Sequence, residues 1–216
     1  MLRTVCLVLL AVLATSAAWA QTPAAGVLLV ARPELEDPNF AASVLLLVYH
    51  DTNGSLGIFL NRPTNLPPSR VFPDIAALAD YADTVFLGGP LEPSRVLMLL
   101  RDPPPGTADG DPVVDDVYIA ADPAVLERYG TRLDADRVRL YAGHAAWGPG
   151  QLQGEIDAGD WSLVPGRADL VFTAEPLELW RATSAQHTGL IALSEGDSSS
   201  AFSRPRGHAA GESGPR

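Results

Sequence analysis

Two apolar runs, Ser43–His50 (SVLLLVYH) and Ser55–Asn61 (SLGIFLN), flank the tetrapeptide Asp51-Thr52-Asn53-Gly54. Asn and Gly tolerate the positive φ that a tight hairpin connection demands, and apolar segments on either side make this the strongest hairpin signal in the chain. The hairpin sets the fold class, because the remaining pieces are short and match it. Gly26–Arg32 (GVLLVAR) suits a buried strand and stops at Pro33. Thr84–Gly88 and Arg95–Leu100 read as a strand and its partner, Asp116–Ala120 as a further strand, and Arg137–Gly143 alternates like a half-buried one. WSLVP, ADLVF and GLIAL (Gly189–Leu193) complete the strand set.

Helical signals are brief. A single turn is expected at Asp37-Pro38-Asn39-Phe40, where an acid precedes Pro at the first helical position. Ile75, Leu78 and Ala79 share one helical face, and Asp122-Pro123 opens a helix that Gly130 ends. Gln151–Ala158 and Glu175–Thr183 are the other two. About nine short strands and four short helices, linked mainly by hairpins, indicate an α+β domain around a mostly antiparallel sheet. Gly and Pro number 19 each, as many turns require.

The chain of 216 residues divides into three parts. Residues 1–20 have an Arg, an apolar stretch from Val5 to Leu13, and Ala18-Trp19-Ala20 as a small-x-small cleavage site, the pattern of a secretory signal peptide. The apolar stretch is shorter than the ~20 residues of a spanning helix, so no stable membrane span is expected once it is cleaved. Residues 24–194 form the domain. Residues 195–216 are rich in Gly, Ser and Pro, cannot bury enough surface to offset ordering, and read as a disordered tail. An exported location, periplasmic or secreted, follows from the leader.

Composition removes whole reaction classes. All 15 basic residues are Arg, so chemistry that needs a lysine amine is absent: Schiff bases, the Walker phosphate loop, Ser–Lys hydrolysis. The single Cys is Cys6, inside the leader, which leaves the mature chain without a thiol nucleophile, disulfide or cysteine–zinc site. With 26 acids the net charge is −11, and there is no basic stripe to neutralise phosphates, so direct nucleic-acid binding is disfavoured. The histidines His50, His144, His187 and His208 show no metal-ligand spacing. Neither a metal nor a cofactor is implied.

Four blocks carry a resemblance. They are residues 26–63, Phe86–Leu91 (FLGGPL), Arg139–Ile156 (RLYAGHAAWGPGQLQGEI) and the WSLVP…DLVF…LW series of 161–180. In this order and spacing the chain resembles the bacterial AlgH/YqgE-like family over nearly the whole body. The resemblance implies an α+β fold in which a bifurcated antiparallel sheet folds into a pseudo-barrel with a few short helices. The family label is transcriptional regulator, given through an association with control of polysaccharide production. No established catalytic residue accompanies it, and it implies a cytoplasmic location for most members. Three departures stand out: the added leader, His144 and Ala146 in place of the family's Tyr and Gly in Gly-Tyr-Ala-Gly-Trp, and the Arg101–Pro112 loop.

Three motifs are candidates for ligand binding. Arg62 could clamp a carboxylate or phosphate with Asn61 adding an amide contact, or the two could cap backbone groups at the strand end beside Pro63. Gly88 and Gly89 could bring backbone N–H groups to an anion, or form a tight turn. Gly148-Pro149-Gly150-Gln151 opens a helix on which Gln151 and Glu155 share a face. Its first turn could bind an anion, with Trp147 as a wall and His144 near in sequence. Otherwise Trp147 fills the core and Glu155 pairs with an Arg. His50 and Asp51 are neighbours on a strand and point to opposite faces, which disfavours a base–orienter pair.

The candidate site residues are therefore Asn61, Arg62, Gly88, Gly89, His144, Trp147, Gly150, Gln151 and Glu155. The expected function is non-enzymatic binding or regulation through a protein or small anionic ligand. The alternative is a hydrolase of an anionic substrate using His144, Glu155 and Arg62.

Overall fold

The computed structural model describes residues 22–102 and 110–185. The signal segment, the strand expected at Gly189–Leu193, the tail, His187 and His208 lie outside the described residues, as does most of the Arg101–Pro112 loop. Among the described residues nine strands run in chain order: β1 Val27–Ala31, β2 Val44–Asp51, β3 Gly54–Phe59, β4 Phe86–Leu87, β5 Leu91–Arg101, β6 Asp111–Val114, β7 Val117–Ala120, β8 Val138–Trp147 and β9 Trp161–Pro165. Among the described residues the sheet is accompanied by the helices α1 Pro68–Val71, α2 Ala124–Tyr129, α3 Gln151–Ala158 and α4 Ala168–Val171. Single 3-10 turns occur at Ala76–Leu78, Gly130–Arg132 and Pro176–Glu178, the last running into helical residues 179–185.

One curled, mainly antiparallel sheet has the order β6-β7-β5-β8-β3-β2-β1-β9, with β4 joining β8 off this path. The expected hairpin is β2–β3. Asp51 lies opposite Gly54, so Thr52 and Asn53 are the two loop residues and the Asp51 carboxylate accepts from the Asn53 backbone and side-chain amides. The sheet forks at β8. Ala142 pairs with Val96 of β5 on one side and Leu87 of β4 on the other, while β8 continues along β3 from Ala145 to Trp147.

Both faces of the sheet are covered, which explains why runs such as VLLLV do not alternate. Leu28, Val30, Val44, Leu46 and Ile58 face an inner core shared with Leu97, Leu99, Tyr141, Val171 and Leu179. Their strand neighbours Leu29, Ala31, Leu45, Leu47 and Phe59 face outward into a second cluster under α3, with Trp147, Leu152 and Trp161. At the other end Met98, Leu100, Val138 and Leu140 pack under α2 with Val125, Leu126 and Tyr129. Burial of these side chains, each contributing ~1.5–3 kcal/mol, supplies the main driving force.

Several local expectations are corrected. Arg95–Leu100, within β5, pairs with β7 and β8 and not with the Thr84–Gly88 segment, whose strand β4 runs parallel to β8. Ala168–Val171 is a helix where a strand was expected; a five-residue apolar run fits either, and tertiary packing of Ala168 and Val171 into the inner core decides. Pro112 lies in a strand, β6, which ends the sheet and so tolerates a residue without an N–H. The Ile75–Ala79 helix shortens to a 3-10 turn.

Candidate functional site

Trp147 ends β8, and Gly148-Pro149-Gly150 turns the chain into α3. Gly150 enters the helix at φ +73° and Gly159 leaves it at φ +88°, both in the left-handed region that an L side chain resists. These two turns hold α3 across the outer face of the sheet, with Leu152 fully packed beneath it. Glu155 then lies one turn beyond Gln151 and faces back to the strand.

Three side chains converge on that carboxylate. The indole N–H of Trp147 donates to Glu155 Oε2 at 2.8 Å and that of Trp161 donates to the same oxygen at 2.9 Å. The Gln151 amide donates to Oε1 at 2.9 Å, while Gln151 Oε1 accepts from the Gly148 backbone N–H at 3.1 Å. Both tryptophans are buried, so the two indole donors depend on this acceptor. Phe40 completes an aromatic cluster: its ring centroid is 5.8 Å from Trp161 and 6.2 Å from Trp147, and the two indoles meet edge to face at 84°.

Beside this network lies a pocket of about 360 Å³, bounded by Phe40, Trp147 and Trp161, the Pro90–Leu91 bend, Ala146 and the carboxylates of Asp37, Glu155 and Asp160. Of the sequence candidates, Trp147, Gln151 and Glu155 are thus brought together. Trp161, Phe40, Asp37 and Asp160 are members that the sequence reading did not single out. Asp37, Phe40 and Trp161 fall within the blocks that carried the resemblance, but none of those blocks marked them as pocket residues.

The other candidates stand elsewhere. His144 is buried, forms its strand pair with Leu91, and keeps Nδ1 4.0 Å from Glu92 Oε2, with no hydrogen-bond partner for that nitrogen among the described residues. It is not part of the pocket wall. Asn61 is buried and bonded on both sides, accepting from the Val44 N–H at 3.0 Å and donating to the Ala42 carbonyl at 2.9 Å. The Arg62 guanidinium lies 4.4 Å above the Phe59 ring and donates to the Ala41 carbonyl; burial pulls its pKa below the usual arginine value. Both residues close the far end of the β2–β3 hairpin.

Gly88 and Gly89 sit in the fork of the sheet. The Gly88 N–H donates to Ala142 O at 2.7 Å and its carbonyl accepts from Phe59 N–H at 2.9 Å, so this residue stitches β8 to β3. A Cβ on Gly89 would fall 2.0 Å from the His144 carbonyl carbon. His50 finds a partner that sequence neighbours do not reveal: Nδ1 is 2.7 Å from Ser55 Oγ across the hairpin, while Asp51 is occupied by Tyr49 and Asn53. Those bonds hold the Asp51 carboxyl below the usual carboxylate pKa. Among the described residues no three His, Cys, Asp or Glu side chains are grouped as metal ligands.

Comparison with known proteins places this architecture. A family model described as AlgH-like matches residues 28–192. A UPF0301 protein of Streptomyces avermitilis is 36% identical over 176 residues, which is 78% of this chain and 89% of that protein. A Mycobacterium tuberculosis UPF0301 protein is 37% identical over 168 residues, covering 74% and 81% respectively. The crystal structure of DIP2367 from Corynebacterium diphtheriae superposes with a TM-score of 0.62 at 28% identity, covering 74% of this chain and 84% of that one. The solution structure of AlgH from Pseudomonas aeruginosa gives 0.63 at 25% identity, covering 87% and 98%. The forked, curled sheet and the residues that build it together make this chain a member of the AlgH-like family.

Proposed function

We propose that the chain is a non-enzymatic, exported binding protein that acts through the pocket beside α3. The bonding of Glu155 carries this reading. Its oxygens accept two indole N–H groups and an amide, so the carboxylate is a fixed wall. A general base must instead reach the proton it removes, at about 2.6–3.2 Å or through one water. The hydrolase alternative joined Glu155 to His144 and Arg62, yet His144 faces Glu92 and Arg62 stacks on Phe59.

Export rests on residues 1–20, which carry the signal pattern; the cytoplasm is the alternative for a chain that keeps or lacks that segment. The net charge of −11 supports action through a protein or small ligand in preference to direct contact with nucleic acid. The regulatory label of the family is compatible with this reading if regulation is exerted through a bound partner.

Ala146 is exposed on β8 and lines the pocket, so a large side chain at this position is expected to occupy it. A fragment library screened by thermal shift should yield compounds that stabilise the wild type but not Ala146→Trp. Compounds that act equally on both, or a library that stabilises neither, would contradict a binding role for this pocket.

A further inference from the structure

We infer that the pocket beside α3 receives a small organic cation, an ammonium or quaternary ammonium group carried on a larger molecule. This deepens the binding reading and rests on it. Every formally charged side chain in the lining is acidic: Asp37, Glu155 and Asp160. Arg62, one of the arginines on this side of the fold, is held on Phe59 and donates to Ala41, outside the lining. Arg32, whose backbone N–H donates to the Asp160 carbonyl, lies outside the lining with its guanidinium 3.7 Å from Glu34. An anion entering here would meet carboxylates with no cation in the lining to offset them, which runs against the small anionic ligand expected from the sequence.

The aromatic residues give the same sign. Phe40, Trp147 and Trp161 form the apolar wall, and ring planes crossing at 84° and 87° present faces in more than one direction. Indole faces attract cations through the ring quadrupole, and aromatic rings combined with carboxylates are the chemistry that holds quaternary ammonium groups. The indole N–H groups are turned inward to Glu155, which fixes the rings before any ligand arrives. Asp160 is half-buried, and its carboxylate makes no hydrogen bond or ion pair among the described residues, so it is available to a ligand. The pocket's volume of about 360 Å³ lies within the range of small-molecule sites. No metal-type grouping of three donors accompanies these carboxylates among the described residues, which directs the assignment to an organic cation.

The test is a titration of the full mature chain with three probes of like shape, followed on the indole N–H resonances of Trp147 and Trp161. The probes are choline, its uncharged tert-butyl isostere, and trimethylacetate. Choline should shift both resonances and bind roughly tenfold tighter than the isostere. Asp160→Asn, which removes no internal bond, should weaken choline roughly fivefold and leave the isostere unaffected. Equal binding of choline and the isostere, or preference for trimethylacetate, would overturn the cation assignment while leaving the pocket as a binding site. Silence of both resonances toward all three probes would overturn the binding reading as well.

Discussion

Glu155 is the residue on which the site depends. In Glu155→Ala two buried indole donors lose their acceptor, and each stranded donor costs roughly 1–3 kcal/mol, so urea denaturation should show a loss of about 2–6 kcal/mol. Glu155→Gln keeps a carbonyl acceptor and should lose about 1–2 kcal/mol. If the two variants are equally stable, the indole–carboxylate bonds do not hold the tryptophans. Trp147, Gln151 and Glu155 were legible in the sequence because one strand-to-helix unit presents all three, four and eight residues apart. Phe40, Asp160 and Trp161 were not. They reach the pocket through the registers β1–β2 and β1–β9 and the turn before β2, which no local spacing encodes. The same limit separates His144 from the site: proximity in sequence placed it beside Trp147, but the backbone of β8 puts it against Glu92.

At the level of elements, two glycine positions separate crowding from conformation. Gly89 packs against the β8 backbone at the fork, and a methyl group there meets the His144–Ala145 peptide at 2.0–2.4 Å, with no side chain among its nearest neighbours to give way. Gly89→Ala should therefore cost at least about 3 kcal/mol, at the upper end of overpacking penalties. Gly150 has open space around its Cβ position but φ of +73°, so Gly150→Ala should cost only about 1–2 kcal/mol of left-handed strain. Thermal unfolding of the pair, read at a common temperature, checks this; equal losses would show that the fork is not closely packed. Hairpin β2–β3 and helix α3 were readable because each carries its own stop and start residues. The pairing of β5 and the helical state of Ala168–Val171 were not, since short apolar segments take whichever state the surrounding core selects.

Across the whole molecule, one core fills the concave side of the sheet while α2 and α3 cover separate stretches of the convex side. The pocket lies at the α3 end, where Trp147 finishes β8 and Trp161 begins β9, so two strand ends and α3 frame the site. The fold class was accessible from turn chemistry and strand length, and its forked form through the family resemblance. The fork itself has no separate sequence mark, because it arises from one strand, β8, pairing twice along the same edge.

The most direct test is native mass spectrometry of the protein isolated from its own host, beside Ala146→Trp produced at the same level. The expected species begins at Gln21 and carries a small-molecule adduct that the variant lacks. A chain that retains residues 1–20, or an adduct pattern unchanged by the blocked pocket, would contradict an exported binding protein working through this site.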